Sequence, residues 1–328
     1  MPRPAKRGIG PEKIMTEPLK ILFMGTPEFA LVSLKKLCES EEKVCALVCQ
    51  PDKPKGRGQK LMSCPSKKWA AENNIIVLQP ERCKDCDFVE QIKKMAPDLI
   101  VVASFGQILP RDLLEVPKFG AINVHSSLLP KYRGASPIAA AILNGDKETG
   151  VTVMQMIEKL DAGPILLQRA LPIEPDDTAG TLHDKLAKMG AELLKEAIDL
   201  IKAGKIKPMP QDDSKAVYAP MLKKEQGRID WKESAEIIHR KIRAFNPWPG
   251  AFVGAGDSLI KIWKAKPSSG KGAPGEILEA HKKWIEVAAG QGSLRILDLQ
   301  PAGKKIMSPQ AFLAGRKIQP GNQFGVRA

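Results

Sequence analysis

Two blocks of pattern predict an α/β chain of two domains. Over the first two thirds, apolar runs of strand length alternate with helix-like stretches, and that order means a doubly wound parallel sheet of the Rossmann-like kind. Over the last third, short apolar runs separated by Gly and Pro turns predict a small OB-like β-barrel. Residues 205–219 join the two and carry Pro and Lys without periodicity, so they read as a linker. The expected organisation is a disordered leader at 1–18, a catalytic domain at 19–204, the linker at 205–219 and a C-terminal domain at 220–328.

The first strand is expected at 19–24 and ends in G-T-P-E-F-A, where Pro27 suits the first turn of a helix. A glycine between strand and helix suggests a dinucleotide site, but Gly25 stands alone where that fingerprint needs three, so NAD is rejected. Further strands are read at 44–49, 75–79, 99–104 and 121–124, with helices at 65–73 and 88–95 between them. Strands at 151–156 and 165–171 come next. A long helix then begins at Asp177 or Thr178, which can cap it, and Gly204 closes it. Beyond the linker a helix at 234–245 ends in N-P-W-P-G. Strands at 259–265, 275–278, 285–288 and 294–299 complete the second domain.

One connection stands apart. Residues 50–61, Q-P-D-K-P-K-G-R-G-Q-K-L, exceed the roughly two to six residues usual between strand and helix. They hold Lys53, Lys55, Arg57 and Lys60, and they leave the carboxyl end of a strand, which suits contact with a phosphate backbone.

Composition narrows the function classes. The net charge is +14, with 43% hydrophobic and 27% charged residues, and no apolar run is long enough to span a membrane. Residues 205–328 hold 22 Lys and Arg against 11 Asp and Glu, a balance of +11, whereas residues 1–204 stand at +3. A basic excess confined to one domain is the footprint of a polyanion partner. Six cysteines include one C-x-x-C, Cys83 and Cys86, with no second pair or nearby His, so no metal site is expected. Reduced thiols and a cytoplasmic location follow by default. The first eighteen residues are basic and lack an apolar core, unlike a secretory signal.

The chemistry is expected at 123–137, N-V-H-S-S-L-L-P-K-Y-R-G-A-S-P, with Asp161 from a second apolar stretch. Residues i and i+2 of a strand share a face, so Asn123 and His125 point into one site. An amide donor, an imidazole and a carboxylate together suit attack on a carbonyl carbon: the first two hold an oxyanion and the third supports the imidazole's charge. No Ser or Cys nucleophile is required if the substrate brings its own amine.

The string N-V-H-S-S-L-L-P with the later L-D-A-G resembles the signature of folate-dependent formyltransferases. That resemblance runs from about residue 19 to the C-terminus. The basic loop at 50–61, R-A-F-N-P-W-P-G at 243–250 and L-Q-P-A-G-K-K at 299–305 resemble the branch that formylates methionyl-tRNA. The resemblance implies 10-formyltetrahydrofolate as co-substrate and initiator methionyl-tRNA as partner, with no obligate protein partner evident. It implies that Asn123 and protonated His125 stabilise the oxyanion while Asp161 keeps His125 charged. By the same analogy Phe105, Gln107, Ile108, Leu109, Ser127, Leu128, Leu129 and Pro130 line the folate site, and Lys53, Lys55, Arg57 and Lys60 meet the tRNA. Alternative functions are formyl transfer to a small amine, a purine precursor or amino sugar, and a non-catalytic RNA binder on the same fold.

Overall fold

The computed structural model describes residues 17–55, 60–255, 258–314, 316 and 318–325. The leader expected at 1–18 therefore falls almost wholly outside the described residues, and so does Arg57. Two compact units emerge. One takes the described residues up to Pro137 with Glu148–Pro172 and His183–Ala219; the other takes Ile138–Lys147, Ile173–Leu182 and the described residues from Pro220 onward.

The first unit is built on seven strands: β1 (Lys20–Gly25), β2 (Lys43–Val48), β5 (Val77–Leu78), β6 (Leu99–Ala103), β7 (Ala121–His125), β8 (Glu148–Gln155) and β9 (Ile165–Pro172). Their order is β5-β2-β1-β6-β7-β8-β9. The strands from β5 to β7 are parallel, while β8 and β9 pair antiparallel. The sheet is thus mostly parallel, with an antiparallel pair at one edge. The reason lies in the connection: residues 156–164 are too few for the crossover of about a dozen residues that a parallel β8–β9 pair would need. Ile21 to Met24 and Leu99 to Ala103 are buried without alternation, as expected of strands covered on both faces. Helix α1 (Glu28–Cys38) follows β1 and buries Phe29, Ala30, Leu34 and Leu37 along one stripe. Helix α3 (Cys86–Met95) buries Phe88, Val89 and Ile92 and stops where Ala96 turns left-handed at φ +45.

The basic connection is a small hairpin of its own. Strands β3 (Lys53–Lys55) and β4 (Lys60–Met62) pair antiparallel before α2 (Pro65–Glu72) begins. The other α-helices before residue 205 are α4 (Arg111–Leu114), α5 (Pro137–Asn144) and α6 (Ala179–Lys202). Thr178 caps α6 by accepting from Thr181 N at 3.2 Å.

The second unit carries the antiparallel sheet. Strands β10 (Ala251–Ala255), β11 (Ser258–Ser268), β12 (Ile277–Ala280), β13 (Ile285–Ala288) and β14 (Ser293–Pro301) run in the order β10-β11-β14-β13-β12. Helix α7 (Ala235–Ala244) precedes them, capped by Ser234 Oγ, and lays Ile238 and Ile242 into the same core as Ile262, Ile285, Leu294 and Ile296. Phe312 of α8 (Pro309–Leu313) joins that core. The sequence pattern carries four of the five strands. The fifth, A-F-V-G-A, follows two prolines and holds a glycine, so its alternation of buried Ala251 and Val253 is too short to stand out.

Candidate active site

Asn123 and His125 sit at the carboxyl end of β7, in the middle of the sheet. Asn123 lies opposite Val102 on one side and Met154 on the other, and His125 lies opposite Thr152. The carboxamide of Asn123 is half-buried and has no hydrogen-bond partner among the described residues. A half-buried amide left unpaired at the end of a central strand is available to a ligand.

His125 is 6% exposed and held from both edges. Nε2 lies 2.9 Å from the Tyr132 carbonyl oxygen, which can only accept, so Nε2 carries a proton and donates it. Nδ1 faces Asp161 Oδ2 across 3.8 Å, longer than a hydrogen bond. One ring nitrogen is therefore fixed by the backbone, and the other is left for chemistry beside a carboxylate.

Asp161 is positioned with equal care. Its Oδ2 accepts from Gly134 N at 2.8 Å, and its backbone is left-handed at φ +47. Tyr132, whose carbonyl holds His125, is left-handed as well, at φ +61. For residues other than glycine such conformations cost about 1 kcal/mol or more each and persist where the surroundings enforce them. Both lie on the two loops that converge on the imidazole.

The enforcing network was not legible in the sequence. Arg133 is fully buried, and its Nε and Nη2 donate to Gln211 Oε1 at 3.1 and 2.8 Å. Gln211 Nε2 in turn donates to the main-chain oxygens of Asp161, at 2.9 Å, and Gly163, at 2.7 Å. Asp213 Oδ1 closes the far side on Arg133 Nη2 at 2.8 Å. The Lys159 ammonium and then Arg133 hold the Asp213 carboxyl below the usual carboxylate range. Arg133 lies inside the string that marked the site, but Gln211 lies in the stretch read as linker. Residues 206–219 in fact run back to this site: Met209 bridges Ile165 and Tyr218 bridges Arg133. The one available signal was an arginine between Tyr132 and Gly134, adjoining an apolar stretch.

This geometry yields a prediction. Gln211→Leu leaves Arg133 Nε and two carbonyls without the partner they have now, at about 1–3 kcal/mol for each buried group that finds no water, while Arg133 Nη2 keeps Asp213. The expected result is a lower melting temperature together with a reduced kcat at near-normal KM, measured on the same preparation.

The S-S-L-L-P turn is held largely by itself. Ser127 Oγ donates to Lys131 O at 2.6 Å, Thr152 Oγ1 donates to Ser127 O at 2.6 Å, and Leu129 N donates to Thr152 Oγ1 at 3.1 Å. Ser127 is fully buried, and Leu129 packs with Met154 and Ile165. Those two side chains therefore face inward, while Leu128 and Pro130 are half-buried. In the turn after β6, Phe105 and Leu109 are likewise buried, both in one core cluster with Leu22, Ile100 and Leu113. Gln107 braces the turn from behind, accepting from Cys83 N at 2.9 Å. Gln50 Nε2 donates to Phe105 O at 3.1 Å. What this braced turn presents outward is Ile108, 78% exposed.

The formyl transferase profile matches residues 19–198, and the profile of the formyl transferase C-terminal domain matches residues 221–317. The chain belongs to the formyl transferase family. Among curated relatives, methionyl-tRNA formyltransferase of Citrifermentans bemidjiense is 50% identical over 94% of this chain and 96% of its own length. The enzyme of the same name from Geobacter sulfurreducens is 48% identical over 94% of this chain and 97% of its own. Solved structures share the fold at lower identity. WlaRD, a sugar 3N-formyl transferase solved in the presence of dTDP and 5-N-formyl-THF, is 23% identical with a TM-score of 0.64, over 88% of this chain and 99% of that one. HypX from Aquifex aeolicus in complex with tetrahydrofolic acid is 20% identical with a TM-score of 0.60, over 90% of this chain and 47% of that one, so this formyl transferase spans about half of HypX.

Of the four cations expected to meet tRNA, Lys53 is exposed and its Nζ lies 3.2 Å from Gln50 Oε1. The backbones of Lys55 and Lys60 pair in register across the hairpin. No helix among the described residues is long and apolar enough to cross a membrane.

Proposed function

We propose that this chain transfers the formyl group of 10-formyltetrahydrofolate to the free amine of initiator methionyl-tRNA. The observation that carries the reading is the near-full-length likeness, at about half identity, to methionyl-tRNA formyltransferases. A cytoplasmic site of action goes with a charged tRNA as acceptor.

The residues present fit the folate donor. A pterin needs an apolar surface for its face and backbone groups for its edge. The turn after β6 offers both, because Ile108 projects from a loop that Gln50 and Gln107 brace from within the protein. Leu128 and Pro130 supply half-buried apolar surface on the next turn, and the backbone of Ser127 and Leu129 follows it.

The donor supplies an acyl carbon attached to nitrogen. The acceptor amine adds to it, a carbon–nitrogen bond forms, and charge gathers on the formyl oxygen. Asn123 Nδ2 donates to that oxygen, which suits an amide with no protein partner. Because the Nε2 proton of His125 is committed to Tyr132 O, Nδ1 is the nitrogen that acts. It receives the proton the amine loses, and Asp161 stands close enough to stabilise the imidazolium. The same proton then passes to the departing folate nitrogen as its bond to the formyl carbon breaks. This differs in one respect from the role the resemblance implied for His125: its charge arises during the reaction and need not precede it.

The basic hairpin supplies phosphate contacts. Arg57→Ala is expected to weaken use of charged tRNA while tetrahydrofolate binding stays unchanged, as read by the two KM values and a folate titration. Residues 205–328 carry +11 of the net charge of +14, so affinity for tRNA should fall with salt, with a slope of about −0.7 to −0.9 per phosphate neutralised. The deciding experiment is a formyl-transfer assay with charged methionyl-tRNA beside free methionine and glycinamide ribonucleotide. Turnover confined to a small amine would reject this function.

A further inference from the structure

The second unit holds a cleft of about 490 Å³ lined from α7, β11 and β14, a volume in the range of small-molecule sites. None of the residues placed in the catalytic site lines it. Trp263 of β11 supplies an aromatic wall that is held in place. Its indole N–H donates to Gln300 Oε1 at 2.9 Å, and its carbonyl accepts from Asn246 Nδ2 at 3.3 Å. Ile242, Ala265 and Ile306 add apolar surface, and Ile306 is 55% exposed. Walls of this kind receive a flat ring.

Two charged side chains of the cleft are not spent on the protein. Asp298 is half-buried, and its carboxylate has no hydrogen bond or ion pair among the described residues. Lys264 stands opposite it in the β11–β14 pairing, yet no ion pair joins them. Arg243 donates from Nη1 to Asp177 O at 3.1 Å, while its Nε and Nη2 have no partner among the described residues. The cations Arg243 and Lys264 are balanced by the carboxylates of Asp176 and Asp298. His239 adds no charge at neutral pH, because burial, and then the neighbouring Arg243, push its imidazole down to about 4. A cleft so balanced does not select an anion. It suits a neutral ring that offers donors to a carboxylate and acceptors to a guanidinium.

We propose that this cleft binds an unpaired guanine base, of a free nucleotide or of an RNA strand, with Asp298 reading its Watson–Crick edge. A carboxylate accepts from two neighbouring donors at once. Among the four RNA bases only guanine places two on that edge, N1–H and the amino group at C2. Adenine and cytosine place one amino group there, and uracil one N–H. Guanine also carries O6 and N7, the acceptor pair that an arginine reads. Its face lies against Trp263, as unpaired bases lie on aromatic side chains, and Lys264, exposed beside the cleft, is left for the sugar or phosphate.

Use of the cleft on charged tRNA rests on the function proposed above; the base preference does not. The full-length protein is titrated by calorimetry with GMP, AMP and XMP, whose base has a carbonyl in place of the amino group of guanine. GMP should bind about ten-fold or more tighter than AMP. Asp298→Asn is nearly isosteric and puts a donor where an acceptor stood, so its preference should move from GMP to XMP. A merely disturbed fold cannot create affinity for XMP. GMP added to the formyl-transfer assay raises the KM for charged tRNA if the base belongs to the tRNA, and leaves it unchanged if the site serves a free nucleotide; selective binding of GMP supports the site in both cases. GMP that binds no tighter than AMP, or not at all at millimolar concentration, would overturn the proposal, and so would an Asp298→Asn protein that keeps the original preference. A preparation that never formylates methionyl-tRNA would reject the functional reading instead, and the titrations would still decide what the cleft binds.

Discussion

Asn123→Ala should lower kcat by about a hundred- to a thousand-fold while leaving both KM values near those of the unaltered chain. The amide acts on charge that develops only as the formyl carbon becomes tetrahedral, so its loss is felt in the transition state and little in the bound substrates. Its half-buried site and lack of a protein partner mean that truncation leaves no orphaned group behind, and stability should be almost unchanged. His125→Ala should cost at least as much in kcat, and because it also removes the buried hydrogen bond from Nε2 to the Tyr132 carbonyl, its melting temperature should fall as well. Single-turnover rates with saturating substrates, set beside thermal melts, separate the two. Near-normal turnover in either variant would remove that residue from the mechanism.

The parts of this site that were legible in the sequence are those fixed by local periodicity. Asn123 and His125 fall on one face because a strand repeats every two residues, and they reach the site because open sheets bind ligands at their carboxyl ends. Asp161 was legible because it ends an apolar run. The parts that were not legible depend on distance along the chain. Nothing local in P-M-P-Q-D-D tells that Gln211 reaches Asp161, 50 residues away, or that Arg133 lies buried behind it. A segment with no regular secondary structure looks like a linker whether or not it is pinned by tertiary hydrogen bonds. The antiparallel edge formed by β8 and β9 was hidden for a related reason: the pattern gives strand and helix, while strand direction follows from connection length.

The residues expected to face the folate divide in the same way. Apolar residues in a loop at a strand end suit a ligand equally well by composition, yet Leu109 and Phe105 are buried in the protein and Ile108 is not. Between them the backbone turns left-handed at Gly106, at φ +83.

Gly163→Ala should lower kcat by about a hundred-fold, and its cause lies in backbone packing rather than chemistry. A Cβ on Gly163 would stand 1.8 Å from the carbonyl oxygen of Gln155 and 2.9 Å from its carbon, so one of the two chains must move. Neither moves freely. Gln155 is the last residue of β8 and its N–H donates to Pro164 O at 2.9 Å, while the Gly163 carbonyl accepts from Gln211 at 2.7 Å. Relief must come from displacing the turn that carries Asp161, two residues before. Oδ2 would then leave Gly134 N and the Nδ1 edge of His125 together, and a shift of about 1 Å at a reacting group can cost a hundred-fold in rate. This accounts physically for the glycine in L-D-A-G: the turn after the carboxylate passes directly over the preceding strand, where no side chain fits. The check pairs activity with tetrahydrofolate binding. Folate binding should fall less than kcat, because the turn after β6 proposed for it is braced separately, by Gln50 and Gln107. A variant that folds and turns over normally would show that the Asp161 turn has room that its geometry denies.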